Sequence, residues 1–215
     1  MAVLMKSLIA LSVSILACGV HAAGEAKAGE SKAAMCIGCH GIPGYQSSFP
    51  EIHKVPKLSG QSDKYIVAAL MAYQKGERKH PTMRGMAGSL SEQDMADLAA
   101  FYAGDNAGVS APETAKAASA TVAPLLAKGA CNTCHGANFS KPMDPSYPKL
   151  AGQHADYLYA SLKAYTVENN AVVGRSNPIM GGVAKQFSHA ELKELAKYLG
   201  SLEGELATKP QARFR

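Results

Sequence analysis

Cys36-Ile37-Gly38-Cys39-His40-Gly41 and Cys131-Asn132-Thr133-Cys134-His135-Gly136 are two occurrences of one pattern, Cys-x-x-Cys-His-Gly. Their surroundings recur as well. Pro56-Lys57-Leu58-Ser59-Gly60-Gln61 returns as Pro148-Lys149-Leu150-Ala151-Gly152-Gln153. Pro81-Thr82-Met83-Arg84-Gly85 returns as Pro178-Ile179-Met180-Gly181-Gly182. Three blocks in one order, offset by 95, 92 and 97 residues, mean an internal duplication with small length changes in its loops. Between the copies Gly, Ala, Ser, Asn and Pro112 displace the apolar periodicity. The expected domains are therefore residues 24–108 and 109–215, the second ending in a polar tail.

Each copy reads as all-α. Helices are expected before each Cys pair (26–35 and 125–130) and after each Gln block (63–75 and 155–167). A third begins at Ser91-x-x-Asp94 and Ser188-x-x-Glu191, both resembling capping boxes. Behind these starts Met95, Leu98, Ala99 and Tyr102, and Leu192, Leu195, Ala196 and Leu199, recur at helical spacing. No run alternates clearly enough to predict a strand.

The first residues read as an export signal. Lys6 supplies a positive charge, 8–20 is apolar, and Val20-His21-Ala22 offers a small-x-small cleavage site. The expected leader is 1–23, with mature protein starting near Ala23 or Gly24. A competing reading makes Cys18, after Ile15-Leu16-Ala17, a lipidated residue, although Leu16 suits that pattern poorly. The expected location is the periplasm, with peripheral membrane association left open. The 47% hydrophobic and 18% charged residues are an ordinary globular balance, so disorder is not the default. The net charge of +5 is not gathered into Lys/Arg runs, which argues against nucleic acid as a partner. Trp is absent, so a buried macrocycle in each domain would fill volume that bulky rings otherwise occupy.

Two thiols at Cys-x-x-Cys spacing reach the vinyl groups of one haem, and the next His faces the iron. Cys36, Cys39, Cys131 and Cys134 are thus candidates for covalent attachment of two haem c groups, with His40 and His135 as axial ligands. A zinc site needs further ligands at finger-like spacing, and none is present. A thioredoxin-like pair does not require the adjacent His, and the strand-and-helix setting of such a pair is missing. Met83 and Met180 are the candidate sixth ligands, since they occupy equivalent positions and a soft thioether saturates the iron. Met86 is a weaker candidate because its equivalent, Val183, cannot ligate. Pro56 and Pro148 offer carbonyls to the outer nitrogens of His40 and His135. Leu58 and Leu150 are expected on the ring edges. Gln61, Tyr65, Gln153 and Tyr157 either donate to haem propionates or are ordinary helix-start residues. His53, His80, His154 and His189 lack a His at the equivalent position and read as surface or structural residues.

Tandem Cys-x-x-Cys-His units, each with Pro-Lys-Leu-x-Gly-Gln and Pro-x-Met-x-Gly before a capped helix, resemble the cytochrome c4 family over nearly the whole mature chain. The resemblance implies two class I cytochrome c domains related by a pseudo-twofold axis, with His/Met haems close together. It also implies an electron carrier between a quinol-oxidising cytochrome bc complex and a haem-copper oxidase or other reductase. No small-molecule substrate and no enzymatic activity are expected. The competing functions are a dihaem peroxidase, a thiosulfate-oxidising enzyme and a fixed cytochrome subunit of a dehydrogenase. Loop 138–147 is unlike its equivalent 44–55, so the two haem environments are expected to differ. Residues 24–108 hold nine Lys/Arg and nine Asp/Glu, whereas 109–215 hold twelve and eight. The second half is therefore expected to present the more basic face to an acidic partner.

Overall fold

The computed structural model describes residues 23–104 and 108–210. Residues 1–22, and with them nearly all of the expected leader and Cys18, lie outside the described residues, as do 105–107 and 211–215.

The first unit runs α1 (Ala26–Lys32), α2 (Ala34–His40), β1 (Gln46–Ser47), β2 (His53–Lys54), α3 (Asp63–Gln74), β3 (Arg78–Lys79), α4 (Pro81–Gly88) and α5 (Glu92–Gly104). The second repeats the helical order with α6 (Ala123–Lys128), α7 (Cys131–His135), α8 (Ala155–Ala164), β4 (Gly174–Arg175), α9 (Pro178–Ala184) and α10 (His189–Ser201). The capped starts form by the expected chemistry. Asp94 N–H donates to Ser91 Oγ at 3.1 Å while the Asp94 carboxylate accepts from Ser91 N–H at 3.0 Å. Ser188 and Glu191 make the same reciprocal pair at the start of α10. α5 buries Met95, Leu98, Ala99 and Tyr102, and α10 buries Leu192, Leu195, Ala196 and Leu199, the two stripes read from periodicity.

Three features differ from expectation. The Cys-x-x-Cys-His segments are themselves helical, as α2 and α7. The Met83 and Met180 blocks are short helices, α4 and α9, each with Pro at its start. Four two-residue strands occur among the described residues, too short for any alternation to be read. β1 pairs with β2 inside the first unit. β3 pairs antiparallel with β4 across the units, Arg78 opposite Arg175 and Lys79 opposite Gly174.

The loops following the Cys motifs diverge. The first unit uses the β1–β2 pair. The second folds around Asn138, whose Oδ1 accepts from the backbone N–H groups of Ser140 at 3.0 Å and Lys141 at 2.9 Å. There Phe139 is buried, 3% exposed, in a core with Ala151, Leu158 and Leu199.

A reciprocal contact joins the units. The Gln61 amide donates to Lys149 O at 3.1 Å and accepts from Lys149 N–H at 2.9 Å. The Gln153 amide donates to Lys57 O and accepts from Lys57 N–H, both at 3.0 Å. Each Gln satisfies the backbone of the opposite unit at the equivalent position, the pattern a twofold axis requires. The final segment also crosses over, Ala207 N–H donating to Ser59 O at 3.0 Å.

Candidate functional site

Helical geometry gathers the motif residues. In α2, Cys36 and Cys39 are three apart and Cys36 and His40 four apart, so all three share a face. α7 repeats this with Cys131, Cys134 and His135. All six line one cavity of about 590 Å³ that runs through both units. Met83, Met180, Leu58 and Leu150 line the same cavity, as does Met86.

The imidazoles are held from behind. His40 Nδ1 lies 2.9 Å from Pro56 O, and His135 Nδ1 lies 3.1 Å from Pro148 O. A carbonyl only accepts, so Nδ1 carries the proton and Nε2 keeps its lone pair. Burial lowers the pKa of both imidazoles, and the carbonyl bonds oppose it only partly. Each stays neutral, the state a metal requires. Burial pushes the Cys36 and Cys131 thiols up. None of the four cysteines is in a disulfide.

α4 and α9 fix the methionine backbones through their N-caps. His80 Nδ1 accepts from Met83 N–H at 3.4 Å, and Asn177 Oδ1 accepts from Met180 N–H at 2.9 Å. His80 therefore has a structural task that its equivalent Asn177 performs by amide. His53 is also internal, 5% exposed, with Nδ1 2.8 Å from Glu51 O.

Free thiols, a neutral imidazole tied at its outer nitrogen and a thioether, all facing a cavity walled by Leu, Ile and aromatic side chains, form the donor set of a covalently attached haem. The residues present fit that group in both units.

Gln61 and Gln153 spend their amides on the opposite unit, as described above. Tyr65 and Tyr157 bond Arg78 and Arg175, with guanidinium to hydroxyl distances of 3.3 and 3.1 Å. Sequence reading passed over those arginines and the tyrosines beside them. Arg78 lies over the Tyr65 and Tyr73 rings at 5.2 and 5.7 Å, and Arg175 over Tyr157 and Tyr165 at 5.6 and 5.4 Å. The signal was recurrence: Tyr73 and Tyr165 are 92 residues apart, Arg78 and Arg175 97. Burial drives Tyr65 up to about 12, whereas the Arg175 and Arg78 charges overcome burial at Tyr157 and bring it to about 8. The phenols share the two guanidinium charges, so ionising one removes the field that would ionise the other.

The Cytochrome c family model matches residues 26–103 and 119–203. The chain is 33% identical over 184 residues to cytochrome c4 of Azotobacter vinelandii, covering 79% of this chain and 85% of that protein. It is 30% identical over 177 residues to a thiosulfate dehydrogenase electron acceptor of Thiomonas intermedia, covering 79% of each. The crystal structure of reduced recombinant cytochrome c4 from Pseudomonas stutzeri matches with a TM-score of 0.63 at 31% identity, covering 84% of this chain and all of that one.

Proposed function

This chain belongs to the cytochrome c4 family of dihaem electron carriers, with covalently attached haem c in each of two cytochrome c domains, and we propose that it shuttles electrons through the periplasm from a quinol-oxidising cytochrome bc complex to a terminal oxidase or other reductase. The observation that carries this reading is the equal equipment of the two units. Each has a helix-borne Cys-x-x-Cys-His face, a proline carbonyl behind the His and a capped Met helix at one cavity. An active-site haem needs an open position, so an enzyme would have reason to lose one methionine.

When bound, haem c supplies a reversible one-electron ferric–ferrous couple. Cys36 and Cys39, and Cys131 and Cys134, anchor it through thioether bonds. His40 and His135 give Nε2 to the iron, oriented by Pro56 and Pro148. Met83 and Met180 would each offer a thioether to the iron, and a methionine kept in both units leaves little reason to expect a site for a small-molecule substrate. Held at the thiols, the imidazole and the thioether, such a group would exchange electrons without any bond being made or broken on the polypeptide. The more basic second half steers an acidic partner.

A second reading, resting on the Thiomonas relative, keeps the same site and changes the donor to a thiosulfate-oxidising enzyme. No helix among the described residues is long and apolar enough to cross a membrane.

Optical spectra of the holoprotein test the site. Two low-spin haems with a ferric iron–methionine band and no response to carbon monoxide are expected. A haem that takes up carbon monoxide in the unmodified protein would overturn the carrier reading. Met83→Ala and Met180→Ala should each open one haem to carbon monoxide and leave the other closed.

A further inference from the structure

Tyr102 and Leu199 hold the same place in the two units. They lie 97 residues apart, the offset that also separates Met83 from Met180. The carbonyl of each accepts from the glycine just before the interface Gln, Tyr102 O from Gly60 N–H at 2.9 Å and Leu199 O from Gly152 N–H at 3.1 Å. Both residues are 5% exposed, and both line the 590 Å³ cavity. Cys36 and Leu58 pack against the core cluster that contains Tyr102, and Cys131 and Leu150 against the one that contains Leu199. The apolar task of the position is met twice, but only Tyr102 brings a hydroxyl to it. That hydroxyl is bonded to the Cys36 thiol, where it works against the burial that pushes the thiol up. A group that favours the ionised sulfur is the donor of the bond. Leu199 offers Cys131 no such donor.

We propose that the Tyr102 hydroxyl tunes the haem of the first unit alone, favouring its ferrous state by donating a hydrogen bond to the Cys36 sulfur. This rests on the reading that haem c is attached at Cys36. A thioether sulfur has no hydrogen to give, so in the holoprotein the hydroxyl remains the donor. A proton aimed at a sulfur joined to the macrocycle stabilises the state richer in electrons. Tyr102 therefore acts through Cys36 and not at the iron, as a positioning residue for charge. The second unit, with a hydrocarbon in the same place, lacks the device.

Spectroelectrochemistry of the dihaem protein tests this in wild type, Tyr102→Phe and Tyr102→Leu. Repeating each titration in a Met180→Ala background under carbon monoxide keeps the second haem ferrous, so the first titrates alone and is assigned. At the potential that half-reduces the first haem of wild type, Tyr102→Phe should move its oxidised-to-reduced ratio about threefold towards oxidised, the scale of one modest hydrogen bond. The second haem should stay unmoved. Tyr102→Leu, which copies the second unit, should match Tyr102→Phe within about twofold, since both lose the same donor. A first haem unmoved in Tyr102→Phe but shifted in Tyr102→Leu would mean that the ring only fills space, and overturns the proposal. An equal shift of both haems overturns it as well, because the hydroxyl would not be acting through Cys36. Either result leaves the carrier reading standing. A wild-type chain holding fewer than two haems would instead overturn that reading, and the proposal with it.

Discussion

The two units meet the same packing problem, the crossing of the entry helix over the final helix, with different chemistry. In the first unit α1 lies against α5 backbone to backbone. A Cβ at Gly29 would collide with the Asp97 carbonyl, and one at Gly24 with that of Ala96. Asp97, only 3% exposed, ties the crossing by accepting from Glu25 N–H at 2.8 Å, Lys32 Nζ at 2.6 Å and Gln93 Nε2 at 2.9 Å. In the second unit α6 is shorter, and Leu125 and Leu126 join Val122, Phe187, Leu192 and Leu195 in an apolar cluster. The position matching Asp97 is Glu194, which pairs with Lys197 one turn along its own helix at 2.7 Å. One topology thus rests on close approach and a buried carboxylate in one half, and on side-chain volume in the other.

The contrast is open to attack at several points. Leu192 is fully buried, so Leu192→Ala should cost about 3 kcal/mol, and hydrogen exchange should show the loss in the second unit while α1 and α5 stay protected. Gly29→Ala should cost about 2 kcal/mol by overpacking, with the opposite distribution of exchange. Protection lost evenly across both units by either change would mean that they unfold as one body, and the contrast would have no energetic content. Gln61→Ala and Gln153→Ala should each cost about 1.5 kcal/mol in thermal melting, because each strands a backbone N–H and C=O of the other half. A clear inequality between them would show that the interface is symmetric in geometry only.

Acid supplies a gentler probe. Bonds from Glu25 N–H, Lys32 and Gln93 hold Asp97 near 2, below its ordinary 3.8. A carboxylate with a depressed folded pKa stabilises above its unfolded value and loses that contribution as pH falls through the folded one. Exchange protection of α1 should therefore fall between about pH 4 and pH 2, and Asp97→Asn should abolish this acid step. Glu194→Gln should leave melting essentially unchanged, because exposed ion pairs within one helix contribute little.

Legibility followed how local each feature is. Cys36 to His40 declare their chemistry in five consecutive residues, and Ser188 with Glu191 declare a helix start in four. α4 and α9 were hidden because Gly85, Gly181 and Gly182 interrupt the apolar spacing on which a helix is recognised. The β3–β4 ladder could not be seen at all, since a two-residue strand carries no pattern and its partner lies 97 residues away. Gln61 and Gln153 stood out by recurrence, yet recurrence does not tell which surface a side chain meets. Arg78 and Arg175 carried the same signal and were passed over because no ligand chemistry attaches to a lone arginine.

The exchange between Gln61 and Gln153 has a consequence for how such a molecule is assembled. Each half presents one patch that is complementary to itself, so two separate copies of a half would associate as an isologous dimer. Such a pair would fall apart on dilution. Covalent joining replaces that dependence with a high effective concentration, and the contact survives at any protein level. It also frees each half from having to match its twin residue for residue, which is the condition under which a Gly–Asp crossing and a leucine cluster can coexist in one chain.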